Sequence, residues 1–123
     1  MSNIPTPGLL RSIKDLSDQD LKLKVRTAGI VIDRSEGGSS IVLKSNLSCL
    51  IVDCTIPMAN NSLSNHLPHV TDRLTVLGYI RLATDEETSR HKSFESKYSL
   101  DALIIKHMPG LNLAAWEESI ELN

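Results

Sequence analysis

The sequence predicts an all-β chain: a five-stranded Greek-key barrel that carries one C-terminal α-helix. Three observations lead there. Apolar residues recur with a period of two, first in LKLKVR, and alternation or an unbroken apolar run marks five segments of strand length. Gly29 and Gly78 stand in the middle of the first and fourth of these segments, where a missing side chain lets a strongly curved strand bend. The chain then closes with HMPGLNLAAWEESIELN, in which a Pro109-Gly110 turn and an Asn112 cap precede a short helical run.

Residues 1–20 form a lead-in, Pro-rich from Ile4 to Gly8, in which Ser17 or Asp18 ends a turn or caps a short helical piece. The barrel is expected over residues 21–107 as one domain. Leu21, Leu23 and Val25 alternate with Lys22, Lys24 and Arg26, a half-buried strand with a cationic outer face that continues to Ile32. DRSEGGSS turns the chain at Gly37-Gly38, and SIVLK returns as the second strand. The third, SCLIVDC, is almost wholly apolar, as in a strand covered on both faces. Its Cys49 and Cys54 lack C-x-x-C spacing and fall on opposite faces, so two buried, inert thiols are expected rather than a redox or metal pair. TIPMANNSLSNHLPHV is a polar connection with at most one short helix near Met58–Leu67. RLTVLGYIRLA is the fourth strand, ATDEETSRHKSFES a charged exposed loop, and KYSLDALIIKH the fifth strand before a helix over 111–122. Three meandering strands, a crossover, two more strands and a terminal helix describe the OB-fold, a small, partly open barrel. An open antiparallel sandwich would want more strands than 123 residues supply.

Such a chain buries about two thirds of its unfolded surface. Its 41% hydrophobic and 23% charged residues are ordinary for a globular domain, and a net charge of −2 excludes a strongly basic nucleic-acid binder or a polybasic membrane anchor. Only Tyr79, Phe94, Tyr98 and Trp116 are aromatic, few for a protein that grips single strands by stacking alone. MSNIPTPGLL lacks a signal-peptide pattern and no apolar run is long enough to span a bilayer, so a soluble intracellular protein is expected. Enzymatic signatures such as a phosphate-binding glycine loop, H-E-x-x-H or G-x-S-x-G are missing. His66, His69 and Asp72 could be imagined as metal ligands, but an Asn/Ser-rich loop without nearby cysteine favours solvated histidines. His91, His107 and the Asp85-Glu86-Glu87 run are likewise read as solvated, and Glu117-Glu118 as the polar edge of a helix. No catalytic residue, metal or cofactor is expected.

Two binding features stand out. Lys22, Lys24 and Arg26 on the first strand, with Tyr79, Arg81 and Tyr98 on the fourth and fifth, form a thin cationic strip with two aromatic steps, able to follow a phosphate backbone while a ring stacks on a base. Solubilising the outer face of a strand explains the cations equally well. The helix speaks more clearly. At 100° per residue, Leu113, Trp116 and Ile120 form one stripe, while Leu111, Ala115 and Leu122 lie roughly opposite. A helix that only roofs its own barrel needs one stripe. The second asks for a partner, with Trp116 as an interface anchor, although plugging the barrel's open end would also use the helix.

"MPGLNLAAWEESI" after an apolar strand resembles the end of the Ten-one family, the smallest OB subunit of the CST telomere-capping complex. "VRTAGIVI" is similar to that family's first strand, with its Arg-Thr-x-Gly, and "LIVDCT" and "LTVLGYI" to its third and fourth. The likeness covers the chain from about Pro7 onward and fits a fungal member; the small subunit of replication protein A shares the same layout. The resemblance implies a non-enzymatic nuclear protein at chromosome ends, paired with a Stn-one-type OB subunit and joined by a larger subunit. It places partner contacts on Leu111, Leu113, Ala114, Trp116, Glu117 and Ile120, and makes Arg26 a contributor to contact with single-stranded telomeric DNA. The alternative is a free-standing single-strand-binding OB module, or the small subunit of a general replication complex.

Overall fold

One long strand organises the barrel. In the computed structural model, which describes residues 8–60 and 67–121, β2 (Lys24–Arg34) is 11 residues long and serves two neighbours. Its first half pairs antiparallel with β5 (Arg73–Leu82), from Lys24↔Tyr79 to Ile30↔Arg73. Its second half turns to pair antiparallel with β3 (Ser40–Ser45), from Ile30↔Lys44 to Arg34↔Ile41. Gly29 stands at the changeover, where a Cβ would meet the Lys44 carbonyl oxygen at 2.9 Å and the Leu43 Cβ at 3.1 Å. The expected bend at this glycine is therefore a close approach of two strands.

β3 pairs with β4 (Ser48–Asp53), β4 runs parallel to β6 (Tyr98–His107), and β6 pairs antiparallel with β5. The β2–β5 ladder then closes a mixed five-stranded barrel, where the sequence suggested a partly open one. A two-residue strand, β1 (Leu9–Leu10), pairs in parallel with Val25 and Arg26 beside the half of β2 that β3 leaves uncovered. Alternate residues fill the interior: Val25, Val31, Ile41, Leu43, Leu50, Val52, Leu74, Ile80 and Leu100 are all essentially unexposed. β6 carries a bulge opposite Leu77-Gly78, and a Cβ on Gly78 would lie 2.1 Å from the Asp101 carbonyl oxygen.

Several expectations are corrected. The first strand starts at Lys24, not Leu21: Lys22 adopts a φ of 69° while its N–H donates to the Ile80 carbonyl, and Leu23 is exposed. Asp20 and Ser17 reciprocally cap the preceding turn, which ends the lead-in in a defined shape. The crossover helix, α1 (Thr55–Ala59), begins earlier than Met58; His66 lies outside the described residues. Of the thiols only Cys54 is buried, its pKa pushed up to about 12 by burial and by Asp53; Cys49 is half-buried. The charged "loop" contains a helix, α2 (Asp85–Arg90), opened by a capping box in which Thr84 and Glu87 satisfy each other's backbone N–H.

Candidate partner-docking helix and nucleic-acid face

The terminal helix, α3 (Leu113–Glu121), is started by Asn112, whose side-chain oxygen accepts from the Ala115 N–H at 3.0 Å. The expected cap is thus in place. What seats the helix is a carboxylate. Glu117 is 8% exposed and accepts hydrogen bonds from Ser12 Oγ (2.9 Å), Ser45 Oγ (2.5 Å) and Asn46 Nδ2 (2.6 Å). These donors come from the lead-in and the β3–β4 turn, so one side chain ties the two to α3. Burial pushes the Glu117 pKa up, but the three donors and Lys14 outweigh it and the net shift is downward. Glu117 was expected among the partner contacts or on a polar edge; it anchors the helix to its own barrel, because three donors offset the cost of burying a carboxylate.

Leu113, Trp116 and Ile120 lie half-buried around that anchor, so their stripe is on the barrel side. Ala114, Ala115, Glu118 and Ser119 are exposed; Leu122 lies outside the described residues. Between α3 and the turn that precedes it, an apolar groove of about 530 Å³ is lined by Met108, Pro109, Leu111, Ala115 and Trp116. Leu111 is held by Arg73, which donates to its carbonyl from the start of β5.

The cationic strip separates into parts. Lys24, Arg26 and Tyr79 share the outer face of β2 and β5, with Lys24 directly opposite Tyr79. Lys22 sits beside them in its turn rather than on a strand. Arg81 is engaged: it reaches Glu87 through two bonds of 2.7 and 2.9 Å and Asp101 at 3.0 Å, and lies 3.7 Å from Asp53. Its guanidinium is held charged, chiefly by Glu87, and Glu87 in turn falls to about 2 because these bonds outweigh its desolvation. Tyr98 packs against the core and donates its hydroxyl to Asp18 at 2.6 Å. Both side chains are already engaged with carboxylates.

His91 was expected in solvent and is 1% exposed. Its Nδ1 is 2.8 Å from Asp33 Oδ2 and its Nε2 is 2.8 Å from Ser40 Oγ, fastening the end of α2 to the β2–β3 hairpin. The order Asp-His-Ser is that of a hydrolase triad, but Ser40 is 3% exposed and its N–H is given to Ser35 Oγ. The trio is a clasp. The one cue in the sequence was Thr84-x-x-Glu87, a capping box that turns a presumed loop into a helix able to carry His91 inward. Around His69 and Asp72, no group of three or more His, Cys, Asp or Glu able to hold a metal occurs among the described residues. No described helix is long and apolar enough to cross a membrane.

No protein-family model matches the chain, and no curated protein matches it in sequence. Solved structures do match. The chain is similar to one in the S. pombe Stn1–Ten1 complex, at 18% identity and a TM-score of 0.65, covering 92% of this chain and 88% of that one. It is similar to the telomere capping protein Ten1 from the same yeast, with the same identity and TM-score, covering 92% and 93%. An OBody bound to hen egg-white lysozyme matches at 9% identity and a TM-score of 0.60, covering 82% and 95%. The fold is a Ten1-like OB barrel with a C-terminal helix.

Proposed function

We propose that this chain is a non-enzymatic OB subunit that pairs through α3 and the adjoining barrel with a second OB-fold protein of Stn1 type. In this reading the pair works in the nucleus, with a larger third subunit, to protect telomere ends and to assist binding and replication of single-stranded telomeric DNA. The observation that carries it is the state of α3: Glu117 fixes the helix to its own barrel, while Leu111, Ala115 and Trp116 leave an apolar groove open beside it. A rigid helix with an uncovered apolar flank is a preformed docking surface. The S. pombe chain that shares this fold was solved in complex with Stn1, which supports the choice of partner.

Co-expression with the Stn1-type subunit of the same organism tests this. Ala115→Arg places a charge in the groove, and Ala114→Arg places one on the neighbouring exposed flank. The partner should co-purify with the native chain and be lost, by more than tenfold in affinity, with Ala115→Arg, while circular dichroism stays unchanged. Loss only with Ala114→Arg moves the interface to the other flank. Retention by both variants removes α3 from the interface. If the retrieved partner belongs instead to a general replication complex, the small-subunit alternative takes over.

A further inference from the structure

OB barrels commonly take oligonucleotides across their second and third strands, between the first hairpin and the loop joining strands four and five. On this molecule that face is covered. Val42 of β3 and Ile51 of β4 stand outside the main core cluster yet are 0% exposed. Ser96, in the segment that carries α2, hydrogen-bonds the Ile51 N–H at 3.4 Å, and His91 clasps the same segment to Asp33 and Ser40. The hollow that remains beside it, about 240 Å³, is lined by Asp53, Glu86 and Glu87, and the arginines there, Arg81 and Arg90, are paired with carboxylates. A phosphate backbone would meet net negative charge.

The outer face of β2, β5 and β6 is open around Tyr79, Ile104 and Lys106, while Ala28, Thr75 and Leu77 between them are buried. Cross-strand pairs share a face, so three rows can be read from the register. Leu10, Arg26, Leu77 and Ile104 form one, Lys24, Tyr79 and Asp101 the next, and Ala28, Thr75 and Lys106 a third. Tyr79 is 44% and Ile104 49% exposed. Arg26 and Lys106 side chains make no hydrogen bond or ion pair with another described residue, and the one carboxylate, Asp101, is held by Arg81. Two strand spacings across and two residues along put Arg26 and Lys106 about 12 Å apart with the rows of Tyr79 and Ile104 beside them. That is a stacking ring flanked by cations.

We propose that this chain touches single-stranded nucleic acid on the outer face of β2, β5 and β6, through Tyr79 with Arg26 and Lys106, and not across the covered β3–β4 face. The proposal deepens the end-protection reading and rests on its premise that the assembly works on single strands. Tyr79 stacks one base, Ile104 covers the neighbouring sugar or base edge, and the cations follow the backbone.

The test is fluorescence anisotropy of a labelled fifteen-nucleotide oligothymidylate with the full chain, alone and with its Stn1-type partner, across a salt series. Tyr79→Ala should weaken binding about tenfold and Tyr79→Phe should not. Arg26→Gln with Lys106→Gln should flatten the log affinity–log salt slope by about 1.4, since each single-strand phosphate contact contributes about 0.7. Lys92→Gln, beside the α2 clasp, should change little. An unaltered slope, a larger effect of Lys92→Gln, or no binding by chain or complex would overturn the proposal. So would loss of the protein partner, rather than the oligonucleotide, in the Tyr79 and Arg26 variants, which would make this face a protein interface. If the partner is retained while DNA binding ignores these residues, only this inference fails. If no partner is found but the pattern holds, the inference stands and the end-protection reading falls.

Discussion

One buried carboxylate shows how much a single residue can organise. Glu87 accepts from Arg81, Thr84 and Ser99, and its pKa falls from 4.5 to about 2. A depressed folded-state pKa means stability that is complete above the unfolded value and is lost as pH falls from about 4.5 through 2. A shift of this size corresponds to about 3 kcal/mol. Glu87→Gln should therefore destabilise the native chain at pH 7 and flatten its acid-unfolding curve in that window, measured as urea midpoint against pH. A curve of unaltered steepness would place the titration elsewhere. At Gly78, the Cβ of Gly78→Ala would be driven onto the Asp101 carbonyl, a backbone atom that cannot turn aside. The β5–β6 ladder would have to shift, so a loss of about 3 kcal/mol or more is expected in chemical denaturation.

At the scale of elements, what the sequence revealed follows from what is local. All five barrel strands, the glycine changeover in β2, the Asn112 cap and the terminal helix were legible because period, turn residues and caps act within a few positions. The start of the first strand was not, since Leu21 and Leu23 continue the alternation while Lys22 takes φ 69°, and the register with Ile80 decides where pairing begins. Nor was the proposed nucleic-acid face. Arg81 and Tyr98 look like Lys24 and Tyr79 in sequence, and only the fold sets Glu87 beside one and Asp18 beside the other. α2 was hidden by its charge: six polar or charged residues read as a loop, although Thr84-x-x-Glu87 was visible. The helix is too short to stand without its cap and clasp. Thr84→Ala should cost about 1 kcal/mol in thermal or urea unfolding. Amide exchange should quicken first in residues 85–91, and exchange spread evenly over the barrel would contradict that order.

Across the whole molecule, the anchoring of α3 and its proposed docking should be coupled through Glu117, whose carboxylate is turned to its own barrel. The carboxylate draws Ser12 from the lead-in and Ser45 and Asn46 from the β3–β4 turn onto one helix, so the isolated chain presents α3 already ordered. A partner then binds without first ordering that helix. Glu117→Ala removes the anchor and leaves three donors unsatisfied, costing about 2–3 kcal/mol. Leu113, Trp116 and Ile120 still hold the helix by their half-buried stripe, but the docked fraction falls. Apparent affinity is the intrinsic affinity scaled by that fraction, so a helix docked one tenth of the time binds about tenfold more weakly. The expected result is parallel change: faster amide exchange over Leu113–Glu121 in the free variant, and an equal free-energy loss in calorimetric titration with the Stn1-type subunit. Faster exchange with full affinity would show that the partner binds the barrel without α3, and the groove beside Trp116 would lose its assigned occupant.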